Sequence, residues 1–175
     1  MRAPRIAYFA EIFPSKSETW IHNEIDELRR LGCEVRVFAT HSKPGSLAEE
    51  LKHFADDTIY LPDQERPIFQ ALRILLNGSL LAPVISALVT DAPTLRLKVQ
   101  ILRDLLLTGF MLPHVRQFKP DILFAHFGGS RTNMAMFHSL LTGKPFAFKM
   151  PAADVFTRVA MFRLKSTLTK WMGTI

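Results

Sequence analysis

The sequence predicts an α/β fold: an open parallel sheet with helices on both faces. Three observations lead there. A short apolar run, Ile6-Ala7-Tyr8-Phe9-Ala10, ends in a Pro- and Ser-rich elbow and hands over to an amphipathic helical stretch, the order of a first strand–helix unit. A second strand, Glu34-Val35-Arg36-Val37-Phe38-Ala39-Thr40, follows a Gly-terminated helix at the spacing of a β–α–β crossover, which is right-handed almost without exception. A further run, Ile122-Leu123-Phe124-Ala125-His126-Phe127, is nearly all apolar, as a central parallel strand covered on each side must be.

Taken in order, the first strand is expected at 5–10, a loop at 11–16 and a helix at 17–31. Ser15 and Glu18 have the S-x-x-E spacing of a capping box, which allows the helix to start a turn earlier. Trp20, Ile21, Ile25, Leu28 and Leu31 recur at helical spacing and give one buried face, while Glu24, Asp26, Glu27, Arg29 and Arg30 fill the remaining positions. Gly32 supplies a left-handed C-cap, and Arg29 and Arg30 suit the negative end of the dipole. Cys33 is the single cysteine, so no intrachain disulfide exists, and it packs as a small apolar group.

A second strand is expected at 34–40, a loop at 42–46, a short helix at 47–54 and a third strand at 57–61, ended by Pro62. Residues 67–118 read as a Leu-rich helical block broken at Asn77-Gly78, Pro83 and Asp91-Ala92-Pro93. Its cations Arg73, Arg96, Lys98, Arg103 and Arg116 admit two readings: an ordinary layer over one sheet face, which is the commoner outcome, or a surface that touches anionic lipid. The fourth strand, at 122–127, turns through Gly128-Gly129-Ser130 into a helix at 131–141, closed by Gly143. A fifth strand at 145–150 and a helix around 159–169 follow, and 171–175 looks like the start of a further strand. With 175 residues, one domain is expected.

Hydrophobic residues make up 48% and charged residues 22%, a globular rather than disordered balance. A net charge of +6 favours anionic partners such as nucleotide phosphates or acidic headgroups. Lys and Arg are scattered singly without a basic arm or aromatic RNA signature, so no nucleic-acid partner is expected. The most lipid-like stretch, 74–89, is broken by Asn77, Gly78, Ser79, Pro83 and Ser86 and falls short of the ~20 apolar residues of a spanning helix.

Two stretches carry chemistry. The elbow at 11–17 lies at the carboxyl end of the first strand, where open α/β sheets collect ligands. There Pro14, Lys16, Ser17 and Thr19 are candidate substrate-binding residues for an anion or sugar hydroxyl, set against plain helix capping by Ser15, Ser17 and Thr19. Glu24 is expected to be partly buried and to make a structural hydrogen bond to a neighbouring loop. His126 ends the central strand before Gly128, Gly129 and Arg131, where backbone and helix terminus can approach a ligand; it is the candidate catalytic residue. No G-x-G-x-x-G follows the first strand, and neither a P-loop nor a G-x-S-x-G elbow occurs anywhere. No Cys/His spacing suggests a metal site, and no cofactor is expected.

Phe13-Pro14-Ser15-Lys16-Ser17-Glu18-Thr19-Trp20-Ile21-His22-Asn23-Glu24-Ile25 resembles the opening of family-4 glycosyltransferases with the GT-B fold. Leu28-Arg29-Arg30-Leu31-Gly32-Cys33-Glu34-Val35, Lys119-Pro120-Asp121-Ile122-Leu123-Phe124-Ala125-His126-Phe127 and Thr142-Gly143-Lys144-Pro145-Phe146-Ala147-Phe148 are similar to later motifs of that family, in the same order. The resemblance implies a Rossmann-like acceptor-binding domain, the amino-terminal half of a GT-B fold. It implies transfer of a sugar from a nucleotide-sugar co-substrate to a glycan or lipid-linked acceptor in polysaccharide biosynthesis, with retained configuration. It further implies a cytoplasmic protein, peripheral on an anionic inner membrane face. Asp154 and Phe156 match the family pattern after the fifth strand, which makes Asp154 a candidate substrate-binding residue; Pro151 stands where the family has a His. The match stops where a donor domain would begin, so the chain is expected to be inactive alone unless a separate polypeptide supplies the donor site. Two other readings compete: a non-catalytic α/β module that binds an acidic glycan or lipid headgroup, and an unrelated doubly wound nucleotide-binding protein.

Overall fold

The computed structural model of the chain describes residues 2–41, 51–61, 84–85, 88–89, 92, 94–126 and 129–149. Within them the chain forms β1 (Arg5–Ile12), α1 (Thr19–Arg30), β2 (Glu34–His41), α2 (Lys52–Asp56), β3 (Thr58–Tyr60), α3 (Leu95–Phe118), β4 (Ile122–His126), α4 (Ser130–Thr142) and β5 (Phe146–Lys149). All strand pairs are parallel, in the order β3-β2-β1-β4-β5. This is the Rossmann-like α/β arrangement that the apolar runs imply. The strand order reverses between β1 and β4, and a crevice opens beyond their carboxyl ends.

Strand alternation sorts the core into two faces. Tyr8 and Ala10 of β1 join Val35, Val37 and Ala39 of β2 under Ile21 and Ile25 of α1. Ala7 and Phe9, with Phe38, Leu123 and Ala125, pack on the other face against Met111, Val115 and Phe118 of α3 and Met134 and Ala135 of α4. Helices therefore cover both faces, and every side chain on β1 from Ala7 to Ala10 is buried.

The first unit departs from its sequence reading in three ways. β1 runs on through Glu11 and Ile12, because Ile12 still has a partner in His41. The expected capping box does not form: Ser15 Oγ pairs with Ser17 Oγ at 3.0 Å, and the Glu18 carboxylate is taken by Arg131. Glu18 is thus an N-cap residue with no side-chain cap bond. Trp20 and Leu31 leave the buried face expected of them and are exposed, whereas Ile21 and Ile25 keep it.

Gly32 and Gly143 follow α1 and α4 at φ of 87° and 66°, the left-handed conformation a helix stop requires. α3 begins at Thr94, whose side chain accepts from Leu97 N at 3.3 Å. The short helix runs Lys52–Asp56, β3 is shorter than expected, and β5 begins at Phe146 rather than at 145; positions 47–50, 127 and 150 lie outside the described residues. The elements expected at 67–93 lie mostly outside the described residues, as do those at 159–169 and 171–175.

Candidate functional site

The crevice between β1 and β4 gathers its side chains from four elements. The register opposes Tyr8 to Phe124, so alternation sends Tyr8, Phe124 and His126 to the α1 side of the sheet. On α1, Trp20 and Glu24 stand four residues apart and share a face. They meet His126 together. Glu24 Oε2 lies 2.5 Å from His126 Nε2, and the Trp20 ring stands edge-on to the imidazole with centroids 4.3 Å apart. Tyr8 donates its hydroxyl to the same Glu24 oxygen at 2.7 Å.

Electrostatics fix the proton positions. Burial, and then the Glu24 carboxylate, push the Tyr8 hydroxyl well above its ordinary value, so it stays a donor. His126 is 2% exposed. Burial lowers its pKa more than the hydrogen bond and charge of Glu24 raise it, and Lys149 and Arg131 push the same way as burial. The imidazole is therefore neutral at pH 7. Facing a carboxylate that only accepts, its Nε2 carries the hydrogen.

Arg131, in the first turn of α4, closes the rim. Both its terminal nitrogens donate to Glu18 Oε1 at 3.2 Å, and its Nε lies 3.9 Å from the Glu11 carboxylate. The elbow after β1 and the start of α4 are thus tied together, as the topology demands.

Of the sequence-predicted residues, His126 and Arg131 converge in this crevice, and Gly129 is the N-cap of α4. Pro14 is buried in the elbow after a cis Phe13–Pro14 peptide, and Lys16, Ser17 and Thr19 are exposed. Gly128 and Asp154 lie outside the described residues. Sequence reasoning missed the Glu24–His126–Tyr8 cluster: Glu24 was expected to bond a loop, yet its partners are two strands. The signal was faint. It lay in a carboxylate four residues after an aromatic on the strand-facing side of α1.

A second feature lies on the α3 side of the same sheet edge. Glu11, Thr40, His41, Leu61, Arg103 and Arg131 line a cleft of about 180 Å³, and it adjoins one of about 660 Å³. Among the described residues no group of three His, Cys, Asp or Glu side chains is arranged to hold a metal ion, and no helix is long and apolar enough to cross a membrane.

No protein-family model and no curated protein matches the chain. Among solved structures it is similar to the glycosyltransferase SnogD from Streptomyces nogalater, at 13% identity and a TM-score of 0.42. That alignment covers 96% of this chain and 42% of SnogD. The fold assignment rests on the sheet itself.

Proposed function

We propose that this chain is the acceptor-binding half of a glycosyltransferase that moves a sugar from a nucleotide-sugar to a glycan or lipid-linked acceptor. The observation that carries the reading is the Glu24–His126–Tyr8 cluster at the strand-order reversal. A buried neutral histidine, pinned by a carboxylate from another element, meets the usual requirements for contact with a reacting hydroxyl. In this reading His126 accepts a hydrogen bond from the acceptor hydroxyl and is the catalytic residue. Glu24 is its positioning residue, and Trp20 gives an apolar wall for a sugar ring. Arg131, Gly129, Gly128, Pro14, Lys16, Ser17, Thr19 and Asp154 form the surrounding substrate site. Retention of configuration, a donor site from another domain or polypeptide, and contact with an anionic membrane belong to the same proposal.

The test is sugar transfer by the naturally encoded protein, measured as nucleotide release from a panel of nucleotide-sugars with lipid and glycan acceptors. Glu24→Gln keeps the shape and both hydrogen bonds but removes the charge that raises the His126 pKa. Transfer should fall by roughly 10²-fold or more, the scale of a lost acid–base partner, and the acid limb of its pH profile should move lower. An unchanged pH profile would return Glu24 and His126 to a structural role. The burial of His126 favours one competing reading, a binding module without catalysis; acceptor binding with no transfer under any donor would select it.

A further inference from the structure

Helix α3 presents three faces along its first half. Ile101, Leu105 and Thr108 enter the core. Arg96, Gln100 and Arg103 recur at i, i+4 and i+7 and so share a second face about 10 Å long. Leu95, Val99, Leu102 and Leu106 form a third, exposed stripe. The second face looks across the larger cleft, which Arg96, Gln100 and Arg103 line together with Val99 from the edge of the exposed stripe and with Glu11, Gly129 and Ser130.

Behind Arg103 lies an arrangement that the transferase reading does not use. The Asp104 side chain is fully buried; its Oδ1 accepts from Arg103 at 3.1 Å and its Oδ2 from Asn133 Nδ2 at 2.8 Å. Arg103 Nη2 also donates to Ser130 Oγ at 2.7 Å, and Gln100 Nε2 points to the same oxygen at 3.3 Å. Removing a carboxylate from water costs several kcal/mol unless it is well paired. The fully buried Asn133 clamps Asp104 from α4, but its other partner is not enclosed: the Arg103 side chain is 55% exposed at the cleft. Asp104 therefore holds a guanidinium at a fixed angle to the opening, and Arg96 stands on the same wall with no carboxylate partner among the described residues.

We propose that this cleft binds a phosphoryl group, with Arg103 and Arg96 as its ligands and Asp104 as the residue that positions Arg103. Asp104 and Ser130 occupy the Nε and Nη2 hydrogens of Arg103 from behind, which leaves Nη1 to donate to one phosphoryl oxygen while Arg96 donates to another. Glu11 on the facing wall, held near Arg131, suits hydroxyls attached to that phosphate. The carrier is an acceptor bearing a phosphate; that naming rests on the transferase reading, whereas the anion site does not. The phosphate belongs to a soluble sugar phosphate or to a lipid headgroup, and the exposed stripe beside the cleft makes the second source worth a separate arm.

The experiment titrates the protein with inorganic pyrophosphate, and separately with phosphatidylcholine vesicles with and without phosphatidic acid, following the arginine Nε–Hε resonances by NMR. Saturable shifts of Arg103 and Arg96 are expected, with Arg103→Gln weakening binding about tenfold or more, the order expected for loss of a charge-assisted pair. Arg103→Gln can disturb Asp104, so Arg96→Gln, at an exposed position, is the second variant; it should weaken binding several-fold with an unchanged melting temperature. Response to pyrophosphate assigns a soluble carrier, and response only to phosphatidic acid vesicles assigns a lipid one; both support the site. No response to either probe, or binding that neither variant weakens, overturns it. Anion binding without sugar transfer would sink the transferase reading and leave this site standing.

Discussion

Acidification should charge an imidazole that the fold has no means of solvating. His138 is buried within α4, with Nδ1 donating to the Met134 carbonyl at 2.8 Å and its ring 4.9 Å from that of Phe9. The carbonyl only accepts, so Nδ1 carries the hydrogen and Nε2 is left a bare acceptor without a partner. Protonation would place a charge and an unmatched N–H there, and burial holds the pKa down to about 4 from 6.5. Because the folded value is depressed, the unfolded chain takes the proton first. The stability that His138 contributes is complete above pH 6.5 and is lost as the pH falls toward 4. A gap of roughly 2.5 pH units bounds the loss at about 3 kcal/mol, of which about 2 kcal/mol is gone by about pH 5.

The assay is urea unfolding of the natural protein and of His138→Gln, whose amide keeps a donor for Met134 but cannot titrate. Other groups with shifted pKa, His22 and His126 (lowered) and Asp104 (raised), are present in both proteins and cancel in the difference. Between about pH 7.5 and about pH 5 the natural protein should lose about 2 kcal/mol more than the variant. Equal losses in both proteins, or a His138 ring proton that titrates at the ordinary histidine value, would refute the reasoning.

Three further outcomes follow from particular contacts. Ile25→Asp should prevent folding, since it puts a carboxylate into a fully buried apolar cluster; a native circular dichroism spectrum and cooperative melt would contradict it. Gly143→Ala should cost about 1 kcal/mol, from backbone strain alone, since nothing lies within 4 Å of an added Cβ; urea midpoints measure it. Thr94→Ala should cost about 1 kcal/mol by removing the cap on Leu97 N, and hydrogen exchange should quicken first at the start of α3.

The sequence made local decisions visible and long-range ones invisible. β1 and β4 show as apolar runs because parallel strands are covered on both faces, and Gly32 and Gly143 show because left-handed stops need them. The cluster on Glu24 joins residues 102 positions apart. No periodicity reports such a pairing; only the strand order, with β1 beside β4, brings it about. Asp104 is hidden for another reason. Next to Arg103 in a Leu-rich helix it reads as one half of a solvated charge pair, and only the packing of α4 on α3 reveals that it is enclosed. The capping box failed because Glu18 had a stronger use: a guanidinium 113 residues away outcompetes a backbone N–H for its carboxylate.

Three buried histidines show how context separates structure from chemistry. For each, burial is the largest influence and favours the neutral ring. His22 stacks on Phe54 with centroids 4.8 Å apart and leaves Nε2 unpartnered; His138 bonds the backbone of its own helix. No charged group acts on the His138 ring, and the Asp26 and Glu18 carboxylates that raise the His22 pKa do so without a hydrogen bond to it. His126 has such a bond: a side-chain oxygen of Glu24, from another element, sits 2.5 Å from its Nε2, and Glu24 is itself partly open to solvent. Burial and carboxylate therefore pull the same pKa in opposite directions, so a modest change at the rim, such as a ligand that displaces Trp20 or draws Arg131 off Glu18, can shift the balance. That opposition is the physical reason to look for chemistry at His126 before either of the others.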